Sequence, residues 1–387
     1  MLTKSTRRQF LVASAALPFA LRSFAQSSAE PRWVLLGTGD GKGIYRAPWN
    51  AATGELGAIE LAVATERPTF LAMHPKRPLL YAANEAAKGD GGLSSFRVNA
   101  AQGSLELVQR VSSHGNGPCY VSVDHTGKTA FVANYGGGSM SAYTLGSAGE
   151  MADAGGLDCR NNPSCGVLGP VTDRQEAAHL HCTTVSPDNK FLLVCNLGED
   201  AIEVFPISPG KKAPLGTPTR VQARVGSGPR HVAFHPNGKW VYCVHELDAT
   251  IDLYDWSAHK HTASMKLREG STIFTLTPGT SLPGNSGCEI IVGDDGRFVY
   301  TCSRGVDEII VYRVDATSGL LTEQQRLSCG GKIPRIIAFD PTRKWLVSCN
   351  QTAPGSVTVF AHDAKTGRLS ETPKTFAADT PMFVQWI

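Results

Sequence analysis

A short polar turn followed by an apolar run ending in Asn, His or Ser recurs down this chain. It reads HPKRPLLYAAN at His74–Asn84, DHTGKTAFVAN at Asp124–Asn134 and SPDNKFLLVCN at Ser186–Asn196. It returns as HPNGKWVYCVH at His235–His245, GDDGRFVYTCS at Gly293–Ser303 and DPTRKWLVSCN at Asp340–Asn350. The basic residue after each turn falls at Lys76, Lys128, Lys190, Lys239, Arg297 and Lys344, in steps of 52, 62, 49, 58 and 47 residues. A period of about fifty residues with several strands per repeat marks a β-propeller. Within a repeat such as HVAFHPNGKWVYCVHELDATIDLYDW (His231–Trp256), apolar and small residues fill both central strands. That is the pattern of sheets packed between neighbours on both faces.

Two fragments flank the six full repeats. Trp33-Val34-Leu35-Leu36-Gly37 with Gly43-Ile44-Tyr45 resembles the second and third strands of a repeat, and Pro381-Met382-Phe383-Val384-Gln385-Trp386 resembles the first. Together they predict a seventh blade built from both chain ends, which removes the free edges of an open array. The expected architecture is all-β, one seven-bladed propeller over 32–387. A Gly-rich stretch near 147–176 is expected as a loop insertion on one face.

The N-terminus reads differently. Ser5-Thr6-Arg7-Arg8-Gln9-Phe10-Leu11 is a twin-arginine pattern, Phe10–Leu21 is apolar, and Ser23-Phe24-Ala25 has the small-x-small form of a cleavage site. The apolar stretch is too short for a comfortable span. Residues 1–25 are therefore expected to be a signal peptide, and the mature protein periplasmic or secreted. The leader carries Lys4, Arg7, Arg8 and Arg22 and no acid, so the net charge of +3 becomes −1 without it. A nucleic-acid partner or stable membrane insertion is not expected. Of ten cysteines, Cys195, Cys243, Cys302 and Cys349 sit inside apolar strands as small core residues. Cys159 and Cys165, in the polar insertion, are either a loop disulfide or two free thiols.

The first two strands of a repeat are antiparallel, so the start of one and the end of the other share a face. This places His179, His181, Arg230, Glu289 and Arg335 with Asn84, Glu85, Asn134, Tyr135, His245, Glu246 and Arg304 around one mouth of the central channel. The turns, with His74 and His235, lie on the opposite face. Arginines hold anions bidentately, a His or Glu can activate water, and a guanidinium can stabilise an oxyanion. The mouth thus suits a small, oxygen-rich anionic ligand. The repeated asparagines also fit a structural role at strand ends. His179-x-His181 has the spacing of a metal pair, but no third ligand is evident, so no metal and no cofactor are expected. There is no Gly-x-Ser-x-Gly elbow and no dinucleotide-binding glycine motif.

In combination, Asn134-Tyr135-Gly136-Gly137-Gly138-Ser139, His179-x-His181, Gly228-Pro229-Arg230-His231, Glu246-Leu247-Asp248 and Arg304-Gly305 resemble the lactonase family of seven-bladed propellers. That family includes cycloisomerase-type 6-phosphogluconolactonases and fungal carboxy-cis,cis-muconate cyclase. The resemblance covers about 32–387. It implies a catalytic set of one His, a Glu and two Arg, which fall on His181 or His179, Glu246, Arg230 and Arg304. It leaves Asn84, Glu85, Asn134, Tyr135, Glu289 and Arg335 as candidate substrate contacts. Two positions depart from the family pattern: His245 and Ser303 stand where Asn is usual, which suggests a changed substrate. Export also argues for an unphosphorylated substrate, since phosphorylated gluconolactone is cytoplasmic. The expected function is sugar-lactone hydrolysis. The alternatives are a muconate-type cycloisomerase and a non-enzymatic propeller that binds a glycan or protein.

Overall fold

The computed structural model describes residues 32–86, 89–162, 165–352 and 354–387. The signal peptide expected at 1–25 lies outside them. Seven antiparallel sheets form the blades of a propeller. Blades 1 to 6 span 68–112, 118–158, 180–222, 229–274, 286–328 and 334–378, with strands in sequence order from the inside outward. The seventh sheet is closed by both chain ends. Its inner strand Pro381–Trp386 pairs antiparallel with Trp33–Thr38, so that Leu36 lies opposite Val384. Among the described residues, no helix is long and apolar enough to cross a membrane.

The apolar residues form seven clusters, one between each pair of neighbouring blades. The cluster between blade 6 and the closing blade joins Val34, Leu36 and Trp49 to Ile336, Val347, Val384 and Trp386. Each buried Val, Leu or Ile there contributes roughly 1.5–3 kcal/mol, so the strand from the C-terminus is part of the core.

One expectation is corrected. Met151–Asp158, within the stretch read as a loop, forms the outer strand of blade 2, pairing with Ser139–Leu145. Its glycines disguise it in the sequence, but Met151 and Ala154 are buried against the blade. The irregular segment is 159–179. Cys159 and Cys165 form a disulfide across its start, with Cα atoms 5.4 Å apart. The eight other cysteines are free and buried.

The turn face is stitched from blade to blade. His74 Nδ1 accepts from the backbone N–H of Lys76, which leaves Nε2–H to donate to Gly127 O of blade 2 at 3.0 Å. His235 repeats this with Asn237 N and Gly296 O. Asn189 donates to Asp124, and Arg343 pairs with Asp294.

Candidate functional site

The mouth is shaped by a backbone irregularity repeated in every blade. The innermost strand carries one extra residue, unmatched in register, near its start. Pro229 lies opposite His245 and His231 opposite Val244, so Arg230 is unpaired. The same shift leaves His181 unpaired between Leu180 and Cys182, and Arg335 between Pro334 and Ile336. The equivalent residues are Thr69, Cys119 and Met382, and in blade 5 the irregularity spans Cys288–Glu289. A bulge breaks the two-residue alternation and re-aims side chains. Here it sets a ring of unmatched residues around one end of the channel. Backbone carbonyls at these bulges are taken up by neighbouring blades. Cys119 Sγ donates to His181 O at 3.4 Å, Arg230 Nη1 to Cys288 O at 2.5 Å, and Cys288 Sγ to Arg335 O at 3.0 Å. Inner-strand rings from three blades lie together nearby: Phe70 sits 4.0 Å from Tyr120 and 4.1 Å from Phe383.

Glu246, following the second strand of blade 4, is the electrostatic centre. Its carboxylate meets Arg230 Nε at 2.9 Å, Arg304 Nη2 at 2.8 Å and also Arg174. Burial alone would raise its pKa, but Arg304, Arg230, His181 and Arg174 outweigh burial and hold it well below the ordinary value. Arg230 is enclosed, 1 % exposed, and committed to Glu246 and Cys288. Arg304 keeps an unpartnered Nε. Among the described residues the Arg335 guanidinium has neither a hydrogen bond nor an ion pair. Burial, reinforced by Arg230 and Arg304, lowers its pKa.

The two histidines separate clearly. Both ring nitrogens of His179 are engaged: Nδ1 with Tyr135 O at 2.9 Å and Nε2 with Glu176 at 3.0 Å. His181 contacts His231 through Nδ1 at 3.2 Å, while its Nε2 lies 3.9 Å from Glu246 and makes no hydrogen bond among the described residues. Burial, with the charge of Arg230, pushes the His181 pKa well below its ordinary value. It is therefore neutral at pH 7 and holds an unprotonated ring nitrogen.

Arg230, Glu246, Arg304, His179, His181, Tyr135, Glu289 and Arg335 are joined directly or through shared neighbours at this end. Glu85 is partly buried at the end of the second strand of blade 1. Asn84 and Asn134 do not face a ligand. Both are fully buried. Asn84 donates to Thr65 and Glu66 O, and Asn134 to Ser113 O and Ser139, so they tie strand ends to turns. The departures from the family pattern are also internal. His245 is sealed against Asp252 at 3.0 Å, and Ser303 bonds Thr275. Neither reaches the mouth, so they do not themselves argue for a different substrate.

Sequence reading missed Arg174 and His231. Arg174 comes from the irregular segment, which lies outside the repeat. Bonds from Gly166 N to Glu199, Gly169 N to Gly198 O and Gln175 Nε2 to Leu197 O hold that segment over blade 3. Arg174 then reaches Glu246 and Tyr135 Oη. His231 follows Arg230, and strict alternation would turn one of the two away. The bulge lets both serve the mouth.

The fold is a seven-bladed propeller with a cluster of arginines around Glu246 at one end of its inner strands. Residues 33–386 match the family model described as "Lactonase, 7-bladed beta-propeller", and the chain belongs to that family. It is 30 % identical over 349 residues to a 6-phosphogluconolactonase of Bacillus subtilis, covering 90 % of this chain and 95 % of the relative. A 6-phosphogluconolactonase of Formosa agariphila is 25 % identical, covering 86 % and 92 %. The solved structure of a periplasmic gluconolactonase from Pseudomonas aeruginosa superposes with a TM-score of 0.82 at 25 % identity, covering 92 % and 98 %.

Proposed function

We propose that this protein is an exported lactonase that hydrolyses an unphosphorylated sugar lactone at the arginine-rich mouth. The observation that carries the reading is His181. Its ring is neutral, its Nε2 has no hydrogen bond among the described residues and lies 3.9 Å from Glu246, and cations with unused donors lie nearby. In the proposed step His181 Nε2 takes a proton from water as the oxygen attacks the lactone carbonyl carbon. Arg304 and Arg335 donate to the resulting oxyanion and to the substrate's oxygens. The ring C–O bond then breaks, and the proton on Nε2 passes to the departing alkoxide, giving the hydroxy acid. Glu246, held by three guanidiniums, is a poor base and instead fixes the arginines. Support for the activity class comes from family membership and from relatives named as 6-phosphogluconolactonases. Support for an unphosphorylated substrate comes from the twin-arginine leader and the periplasmic gluconolactonase relative.

The test is base uptake in a pH-stat by purified mature protein with gluconolactone, its 6-phosphate and unsubstituted lactones. Faster turnover of gluconolactone than of the phosphate supports the proposal. Absence of hydrolysis with every lactone contradicts it.

A further inference from the structure

We propose that Glu289 and His231 form a two-residue relay that fixes the tautomer of His181 and takes up part of the positive charge it acquires. The inference deepens the lactonase reading and rests on it for the kinetic part only.

The chain of contacts crosses three blades. Both oxygens of Glu289, on the inner strand of blade 5, lie 3.0 Å from His231 Nδ1 on blade 4. His231 Nε2 lies 3.2 Å from His181 Nδ1 on blade 3. A carboxylate only accepts, so His231 carries its proton on Nδ1. Its Nε2 is then an acceptor. The partner of that acceptor, His181 Nδ1, must therefore be N–H. Arg230 Nη1 lies 3.5 Å from His231 Nδ1 and 3.3 Å from Nε2, against both ring nitrogens alike, and does not choose between the tautomers. Neutral His181 is left with its lone pair on Nε2, the nitrogen without a protein partner. Glu289 is itself held by the backbone N–H of Ile290 at 2.8 Å, and Cys119 holds the His181 carbonyl.

The proton count closes. When His181 Nε2 gains a proton from water, Nδ1–H already points at the His231 acceptor, and His231 Nδ1–H points at Glu289. The developing imidazolium is opposite a carboxylate through two hydrogen bonds, with no proton left over. The other charged or titratable groups around His181 are Arg230 on blade 4, Glu246 at the end of the second strand there, Arg335 on blade 6, and Tyr135 on blade 2. The arginines oppose protonation of His181 and Glu246 favours it. Glu289, acting through His231, is the second acid that favours it. Glu289 and His231 are positioning residues in this scheme, and Glu289 is not a substrate ligand.

Two measurements test the relay. Long-range ¹H–¹⁵N spectra of histidine-labelled protein at pH 7, with His181 assigned through His181→Gln, report the tautomer without any substrate. The expected signal is Nδ1–H with an unprotonated Nε2; an Nε2–H tautomer overturns the relay even if the enzyme is an active lactonase. Kinetics give the second readout. Glu289→Gln keeps an acceptor for His231 but removes the charge. It should lower kcat by about 10-fold or more with KM unchanged, and move the acidic limb of the pH profile to lower pH. His231→Gln offers an acceptor to His181 and a donor to Glu289, so it should retain much more activity than His231→Leu. A raised KM with unchanged kcat in Glu289→Gln would make that residue a substrate ligand and overturn the proposal. Equal activity of His231→Gln and His231→Leu would do the same. If no lactone is hydrolysed, the functional reading falls while the spectra still decide the relay.

Discussion

The two ends of this propeller use the same residue types to opposite effect. At the turn face, His74 and His235 are buried and both nitrogens of each are spent, one on the turn's own backbone and one on the next blade. At the mouth, His181 is equally buried but keeps one nitrogen without a hydrogen bond, and the Arg335 guanidinium has no hydrogen bond or ion pair among the described residues. Arginine shows the same contrast. Arg343 on the turn face is paired with Asp294, whereas the mouth gathers four guanidiniums around the carboxylate of Glu246 and the bulges beside it. Burial does not separate the turn-face histidines from His181; the nitrogen that His181 leaves without a hydrogen bond does.

Experiments that break this contrast differ greatly in size. The largest effect falls where both ends share a strand. Deleting residues 381–387 removes the inner strand of the closing blade with Met382, Val384 and Trp386, and should abolish cooperative thermal unfolding. A sharp transition at the wild-type temperature would show that the blade is not closed this way. Next in size is the arginine cluster. Arg304→Ala should cost on the order of 2–4 kcal/mol in transition-state stabilisation, read as a fall in kcat/KM. The melting temperature should fall as well, because the buried Glu246 carboxylate loses a partner at 2.8 Å. Arg335→Ala should mainly raise KM and leave the melting temperature unchanged, since no protein bond is lost. A large stability loss in Arg335→Ala would place it among the structural residues.

The smallest expected effect concerns the buried pair His245–Asp252. Burial opposes a charged His245, but Cys243 and Asp252 raise its pKa to about 10. The charged form therefore contributes stability fully below the unfolded value of about 6.5, and that contribution is lost as pH rises toward about 10. The melting-temperature difference between wild type and His245→Asn should shrink over that range. A constant difference from pH 6 to 10 would mean that His245 is neutral in the fold.

The sequence made the blades legible because each repeats one turn and one apolar strand, and because Trp33–Tyr45 and Pro381–Trp386 complete each other. It made Arg230, Glu246, Arg304 and His181 legible because strand starts and strand ends must share a face. The bulges were not legible. One extra residue leaves no signature in a six-residue strand, yet it decides that Arg230 and His231 both serve the mouth. Arg174 was hidden for a different reason, since its position depends on tertiary bonds of a non-repeating segment. The outer strand Met151–Asp158 was hidden by its glycines. Asn84 and Asn134 fall among candidate substrate contacts by strand position alone, and only their hydrogen bonds to Thr65, Glu66, Ser113 and Ser139 show where the amide nitrogens are used.

We propose that catalytic capacity lies at the mouth and not at the turn-face histidines. The most direct test is a paired measurement of kcat/KM, on the lactone that the wild type hydrolyses, and of thermal unfolding for His181→Ala and His235→Ala. His181→Ala should lose about 10²–10⁴-fold in rate, as expected for a general base, with a modest change in melting temperature. His235→Ala should keep nearly full activity but lose about 1–3 kcal/mol of stability, because Gly296 O and Asn237 N are left without their partner. Full activity in His181→Ala, or a loss in His235→Ala as deep as in His181→Ala, would contradict the account.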